Sequence, residues 1–271
     1  MSIDLPKIIY GTAWKKEQTT RLVVEAVENG FRAIDTACQP KHYDEKRVGD
    51  ALALLYKSGY KREELFLQTK FTPLGGQDPK STPYDKDAPL EQQVAESFEV
   101  SKKNLRTAFI DSYVLHSPLF PSSELFKVWE AMEQIHKRKE VGALGISNCY
   151  DLAVLQKLYE HSSVKPTYVQ NRFYSDSDYD KELRLWCDAK GIKYQSFWSL
   201  SANPHILESE VVVKLSLKYK KTQAQILFNF LHSLGITPLS GTSSTQHMRD
   251  DCTAFEFELE EAEYLQLSNL L

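Results

Sequence analysis

The 271-residue chain carries 33 basic and 37 acidic side chains for a formal net charge of -4, with 42% apolar and 26% charged residues. Those proportions are ordinary for a globular protein, and with the two signs interspersed they give no electrostatic case for nucleic acid or an anionic membrane as partner. A chain of this length buries roughly three quarters of its unfolded surface and suits one large α/β domain, expected here over residues 1–271.

Strand-like and helix-like patterns alternate from the start. KIIYG (7–11) reads as a strand and TTRLVVEAVENG (19–30) as a helix; FRAID (31–35) and RVGDALALLYKSG (47–59) repeat the pair. LFLQTK (65–70) precedes the helical LEQQVAESFEVSKKNLR (90–106), and FIDSYVLH (109–116) precedes ELFKVWEAMEQIHKRKE (124–140). GALGIS (142–147) with LAVLQKLYEHS (152–162), then TYVQNRF (167–173) with ELRLWCDAKG (182–191), form the fifth and sixth units. IKYQSFW (192–198) is followed by VVVKLSLKYKK (211–221) and AQILFNFLHSLG (224–235), and ITPLSG (236–241) by a helical STQHMRDDCTAFE (244–256).

Apolar side chains recur at spacings of three and four in the helices, as one buried face requires. Short apolar strands, each followed by a helix, imply parallel crossovers. Eight such units fit a closed (β/α)8 TIM barrel, and no phosphate-binding glycine fingerprint follows the first strand. The stretch FTPLGGQDPKSTPYDKDAP (71–89) is too long for a connector and is expected as a rim loop over the active face.

Cys38, Cys149, Cys187 and Cys252 are widely separated and form no CxxC, which fits reduced thiols in a cytoplasmic protein. The N-terminal MSIDLPKIIYGT shows no secretory pattern, and no run reaches the ~18 apolar residues of a membrane span, so neither export nor membrane insertion is expected. Monomer is the default expectation.

Barrel strands aim their C-terminal ends at the functional face. Asp35 ends strand two, Lys70 strand three and His116 strand four; Ser147 and Asn148 end strand five, Gln170, Asn171 and Arg172 strand six, and Phe197 and Trp198 strand seven. Such a ring makes a proton-transfer site without metal. An ammonium beside a tyrosine lowers the phenol's pKa and makes it a workable general acid. An aspartate holds that ammonium, and a histidine orients a carbonyl. Each residue also has a plain structural reading, as a cap, a salt bridge or packing.

Together these motifs resemble the aldo-keto reductase superfamily over nearly the whole chain: FRAIDTA, LFLQTK, YVLHSP, GALGISN, ITPLSG and FEFELEEAE. The resemblance implies NADPH- or NADH-dependent reduction of a small carbonyl substrate. It implies catalytic roles for Asp35, Tyr43, Lys70 and His116, and cofactor contacts from Ser147, Asn148, the amide of Asn171 and the ring of Phe197. Trp14, His42 and Trp198 are the expected walls of the substrate pocket.

The chain departs from the family pattern in three places. In CQPKHYDEK, counting back from Asp44-Glu45 puts His42 in the tyrosine slot, whereas chemistry favours Tyr43, because Lys70 would push an adjacent imidazole's pKa down. In SGTSSTQHMRDD, Gly241 takes the place of the phosphate-gripping lysine, His247 that of the arginine, and Asp251 that of an asparagine. Gly241, Thr242, Ser243 and Ser244 still form a hydroxyl-rich turn suited to a phosphate, and Arg249 is a candidate for the missing charge. The chain also stops at QLSNLL, without a tail to cover the pocket, which implies an open site. A non-redox isomerase or cyclase using the same groups, and a catalytically idle binding barrel, are the competing readings.

Overall fold

The computed structural model describes residues 5–271. Eight parallel strands close into a barrel in chain order. They are β1 (Ile9–Gly11), β2 (Ala33–Asp35), β3 (Phe66–Phe71), β4 (Ile110–Leu115), β5 (Val141–Ser147), β6 (Tyr168–Arg172), β7 (Lys193–Phe197) and β8 (Ile236–Ser240). Closure is made by β1 on β8, with Ile9 opposite Leu239 and Tyr10 opposite Ser240.

The outer layer holds α1 (Thr19–Glu28), α2 (Glu45–Lys57), α3 (Leu90–Leu105), α4 (Ser122–Lys137), α5 (Leu152–His161) and α6 (Lys181–Ala189). After β7 come α7 (Pro204–Leu207), a single turn the periodicity did not reveal, then α8 (Glu210–Tyr219) and α9 (Gln223–Ser233). The chain ends with α10 (Thr245–Cys252) and α11 (Glu261–Ser268). Among the described residues no helix is long and apolar enough to cross a membrane.

Side chains alternate across each strand, and this decides which residues meet the site. On β3, Leu67 and Phe71 join the large apolar layer between strands and helices, while Phe66 packs with Ile9, Ala33 and Tyr168 in a separate cluster inside the barrel. Burying each such large side chain contributes about 1.5–3 kcal/mol. Above that plug the inward positions turn polar, with Asp35, Gln68, Lys70, Gln170 and Gln195 all buried. Gly145 on β5 allows the strands to come this close: a Cβ there would stand 2.9 Å from the Tyr168 carbonyl oxygen.

One outward contact anchors the site. Thr69 Oγ1 donates to Glu45 Oε1 at 2.5 Å, and Ser101 Oγ on α3 donates to the same oxygen at 2.8 Å. Buried Glu45 therefore ties the first turn of α2 to β3 and α3, and burial pushes its pKa up. Asp44 caps α2 by accepting from the Arg47 N–H. The segment just before this cap carries His42 and Tyr43, so it enters the barrel mouth from a fixed point.

Candidate active site

Lys70 and Asp35 form a buried ion pair, with Nζ at 2.7 Å from Oδ1 and 2.5 Å from Oδ2. The ammonium's third bond goes to the Thr36 carbonyl at 2.9 Å. Asp35 Oδ1 also accepts from Gln68 Nε2 at 2.8 Å and Gln170 Nε2 at 3.1 Å, and both amides donate to Gln195 Oε1. Oδ1 thus accepts three bonds from inside the barrel, and among the described residues Oδ2 accepts from Lys70 alone. Gln68 and Gln195 escaped the sequence reading, although period two back from Lys70 and Phe197 points to both.

Burial lowers the Lys70 pKa, against the opposing pull of Asp35. The expectation that Lys70 would lower the tyrosine pKa is reversed in this structure. Burial first, and the Asp35 charge second, push the Tyr43 hydroxyl well above its ordinary value. The carboxylate that holds the lysine also cancels much of its field, so the phenol stays protonated.

The loop after β2 separates the two neighbours in CQPKHYDEK. The Gln39 carbonyl accepts from the amides of both His42 and Tyr43 at 3.0 Å, making a tight turn around Pro40 and Lys41. Gln39 Nε2 is in turn held by the Gly76 carbonyl at 2.6 Å, and Gln77 Nε2 by the Cys38 carbonyl at 2.8 Å. The turn brings the Tyr43 ring centre to 5.2 Å from Lys70 Nζ and 6.0 Å from the His116 ring. His42 lies instead against Trp14, ring centres 3.8 Å apart, with the Trp14 amide donating to the His42 carbonyl at 2.7 Å. Both side chains face the main cavity.

None of residues 71–89 lines the main cavity. Gly76 and Gln77 brace the Tyr43 turn at its edge, and Tyr84 Oη donates to the Thr72 carbonyl. Pro73 to Gly76 border a second cavity with Ser117 to Phe120.

His116 Nδ1 is bonded to Thr72 Oγ1 at 2.6 Å, which leaves the other ring nitrogen for the cavity. Burial, Lys70 and His42 hold its pKa well below the usual imidazole value, so the ring is neutral. The His116 carbonyl accepts from Asn148 Nδ2 at 2.8 Å, and the Ser147 hydroxyl donates to the Gln170 carbonyl at 2.7 Å.

Ser147, Asn148, Gln170 and Phe197 all line a cavity of about 740 Å³ running across the barrel mouth. Asn171 does not. It is fully buried on the other face of β6, where its amide donates to the Cys149 carbonyl at 2.8 Å and Asp180 Oδ2 at 2.7 Å and accepts from the Cys149 N–H at 3.0 Å. One step along a strand reverses the face, and the inward amide is that of Gln170. Three residues lining the cavity, Trp14, Asn148 and Trp198, have positive φ of 64°, 52° and 58°. Left-handed backbone is costly for a bulky side chain, and at the site both tryptophans adopt it.

At the far end the cavity meets Lys15, Gly241, Thr242, Phe228, His247, Asp250 and Asp251. Arg249 is turned away: its Nε donates to Asn29 Oδ1 at 2.7 Å, on the exposed surface near the end of α1. Ser243 and Ser244 also lie outside the lining, and the Ser244 hydroxyl caps α10 by accepting from the His247 N–H. Lys15, unnoticed in the sequence, donates its ammonium to the Gly241 carbonyl, and burial lowers its pKa. Buried Asp251 accepts from Ser240 Oγ at 2.6 Å, and burial pushes its pKa up to about 6. Among the described residues no group of three His, Cys, Asp or Glu side chains is arranged to hold a metal ion.

A parallel barrel that gathers a buried lysine–carboxylate pair, a loop phenol and a neutral imidazole at one mouth defines an acid–base enzyme scaffold. The Aldo/keto reductase family profile matches residues 7–202, and the chain belongs to that family of carbonyl-reducing oxidoreductases. The chain is 28% identical over 243 residues to a glyoxal reductase of Bacillus subtilis, covering 89% of this chain and 79% of the relative. It is 25% identical to a methylglyoxal reductase, DkgA, of Yersinia pestis, covering 98% and 89% respectively. Among solved structures, an aldo-keto reductase from a Medee basin deep-sea metagenome library matches with TM-score 0.83 at 24% identity over 99% of this chain and 92% of that one. An aldo-keto reductase of Bombyx mori in complex with NADP matches with TM-score 0.82 at 23% identity, covering 98% and 89%. At these identities the structural likenesses speak for the fold.

Proposed function

We propose that the chain reduces a small aldehyde or ketone to an alcohol with a nicotinamide dinucleotide, Tyr43 acting as general acid. The observation that carries this reading is the Tyr43 ring 5.2 Å from Lys70 Nζ and 6.0 Å from the His116 ring, with Asp35, Tyr43 and His116 lining one cavity and Lys70 buried beside it. Tyr43 donates its proton to the carbonyl oxygen, and neutral His116 orients that oxygen by hydrogen bonding. Asp35 keeps Lys70 charged and in place, and the ammonium stabilises the phenolate left behind. A bound nicotinamide supplies the hydride.

The residues present fit such a group. Ser147, Asn148 and Gln170 would hold a carboxamide, and the half-buried Phe197 would stack on a ring beside them. The far end fits an extra phosphate less well. Asp250 and Asp251 face the cavity, Arg249 bonds Asn29, and Lys15 is engaged by Gly241. Each missing charge-assisted contact removes about 1.5–3 kcal/mol. The altered Tyr43 loop and this end, without a free cation among the described residues, support reading the chain as a divergent member of the family, one with at most a weak preference for NADPH over NADH. The names of the two bacterial relatives above support small dicarbonyls as first substrates to try.

Titration with NADH and NADPH, followed by tryptophan fluorescence, tests the reading. Saturable quenching at micromolar cofactor, with Tyr43→Phe binding equally but turning over poorly, is the expected result. No quenching by either dinucleotide up to millimolar concentration would overturn it.

A further inference from the structure

The strongest unassigned group lies beside this cavity, at the end of β6. Arg172 is the next position on the same strand face after Gln170 and pairs in register with Phe197 of β7; it is not among the residues lining the cavity and meets that lining through Trp198. Its guanidinium lies 4.2 Å from the Trp198 ring centre and 5.0 Å from that of Tyr174. Contact with two rings satisfies none of the guanidinium N–H groups, which still need an acceptor. None is supplied: among the described residues no carboxylate or carbonyl bonds the guanidinium, and Nε is buried without a partner.

Two further observations say that this arrangement is built. Trp198 reaches its position through a left-handed backbone, φ 58°, which disfavours a bulky side chain, and its indole is at once a wall of the cavity and the stacking face for Arg172. The Arg172 amide donates to Tyr150 Oη at 3.1 Å, and Tyr150 Oη reaches Asn148 Oδ1 at 3.4 Å, linking the arginine backbone to the cavity wall near His116. Of the other cations at the barrel mouth, Lys70 is already neutralised by Asp35, and Lys15 donates to the Gly241 carbonyl at the far end. An unpaired, partly desolvated arginine gains most from a planar anion that accepts two parallel N–H bonds.

We propose that Arg172, stacked on Trp198, is an anion subsite that selects carbonyl substrates bearing a carboxylate. The proposal rests on the reductase reading of the same cavity and adds the class of substrate. It also separates this chain from a purely apolar aldehyde pocket, where size alone discriminates.

The test compares 4-carboxybenzaldehyde with its near-isostere 4-methylbenzaldehyde in wild type, Arg172→Gln and Arg172→Lys. Benzoate binding is measured in parallel by calorimetry, without cofactor or turnover, on variants whose melting matches wild type. Arg172→Gln is expected to raise KM for the acidic aldehyde and Kd for benzoate about tenfold or more, with kcat and the neutral aldehyde little changed. Arg172→Lys, which keeps the charge but loses the planar fork, should fall between. Equal losses for both aldehydes, or unchanged benzoate affinity, would overturn the subsite. Arginine-dependent benzoate binding in a protein that reduces neither aldehyde would uphold the subsite and defeat the reductase reading instead. If the glutamine variant melts early, the lysine variant alone decides, since a packing role predicts no difference between the two aldehydes.

Discussion

His42 lies against Trp14 with ring centres 3.8 Å apart, and the stack keeps the imidazole on the outer wall while its neighbour Tyr43 faces Lys70 at 5.2 Å. The two adjacent side chains are therefore separable by mutation. Tyr43→Phe is expected to lower kcat by about 10²–10⁴-fold, the usual contribution of a positioned general acid, with dinucleotide affinity retained. His42→Ala should change kcat by less than about tenfold and act mainly on KM. Since burial and Asp35 raise the Tyr43 pKa, activity should show no loss from phenol ionisation up to about pH 9. Steady-state kinetics of the two variants across pH checks all three statements.

The Lys70–Asp35 pair is buried on both sides, at 1% and 3% side-chain exposure, so removing one partner strands a charge. Asp35→Asn is expected to cost about 3–5 kcal/mol of stability in urea unfolding. The double variant Asp35→Asn with Lys70→Met should recover much of that loss while remaining inactive. Additive losses in the double-mutant cycle would show that the two groups are not energetically coupled.

Asp251 offers a pH test with a definite sign. Its folded pKa of about 6 lies above the ordinary carboxylate value of 3.8, so the folded state favours the protonated form. Its contribution to stability is complete below pH 3.8, falls as pH rises, and is lost above about 6. Asp251→Asn keeps an acceptor for Ser240 without the charge. Its gain over wild type should grow between about pH 4 and 6 and then level, at on the order of 1–3 kcal/mol. Thermal unfolding at several pH values measures this, and a gain independent of pH would contradict it.

Gly145→Ala places a methyl 2.9 Å from the Tyr168 carbonyl oxygen and 3.2 Å from Val114 Cγ2, inside the barrel. Overpacking at such a point is expected to cost about 1–3 kcal/mol, since neither strand can move away without opening its ladder. Chemical denaturation reads the loss directly. Cofactor affinity should change too, because Ser147 lies two residues along the same strand.

Alternation of short apolar strands with helices of period three to four was enough to read the barrel from the sequence, because both patterns are local and repeat through the whole chain. The polar strand ends Asp35, Lys70, His116 and Ser147 were legible for the same reason. Gln170 and Asn171 show where that legibility stops: adjacent polar residues differ only in which face of β6 they take, and register decides it. Arg249 was misread because its partner, Asn29, is distant in sequence, and the same distance hid the bracing of the Tyr43 turn by the 71–89 loop.

The chain by itself determined the architecture and the inventory of chemical groups, since backbone periodicity and side-chain chemistry are properties of short stretches. Tertiary structure alone decided which groups meet. The turn on the Gln39 carbonyl sets Tyr43 against Lys70 and His42 against Trp14, the Asp35 carboxylate offsets the Lys70 charge, and Arg172 is left against Trp198 without a counter-ion. Each of these depends on contacts between residues far apart in sequence, whose energies arise only once the strands have closed.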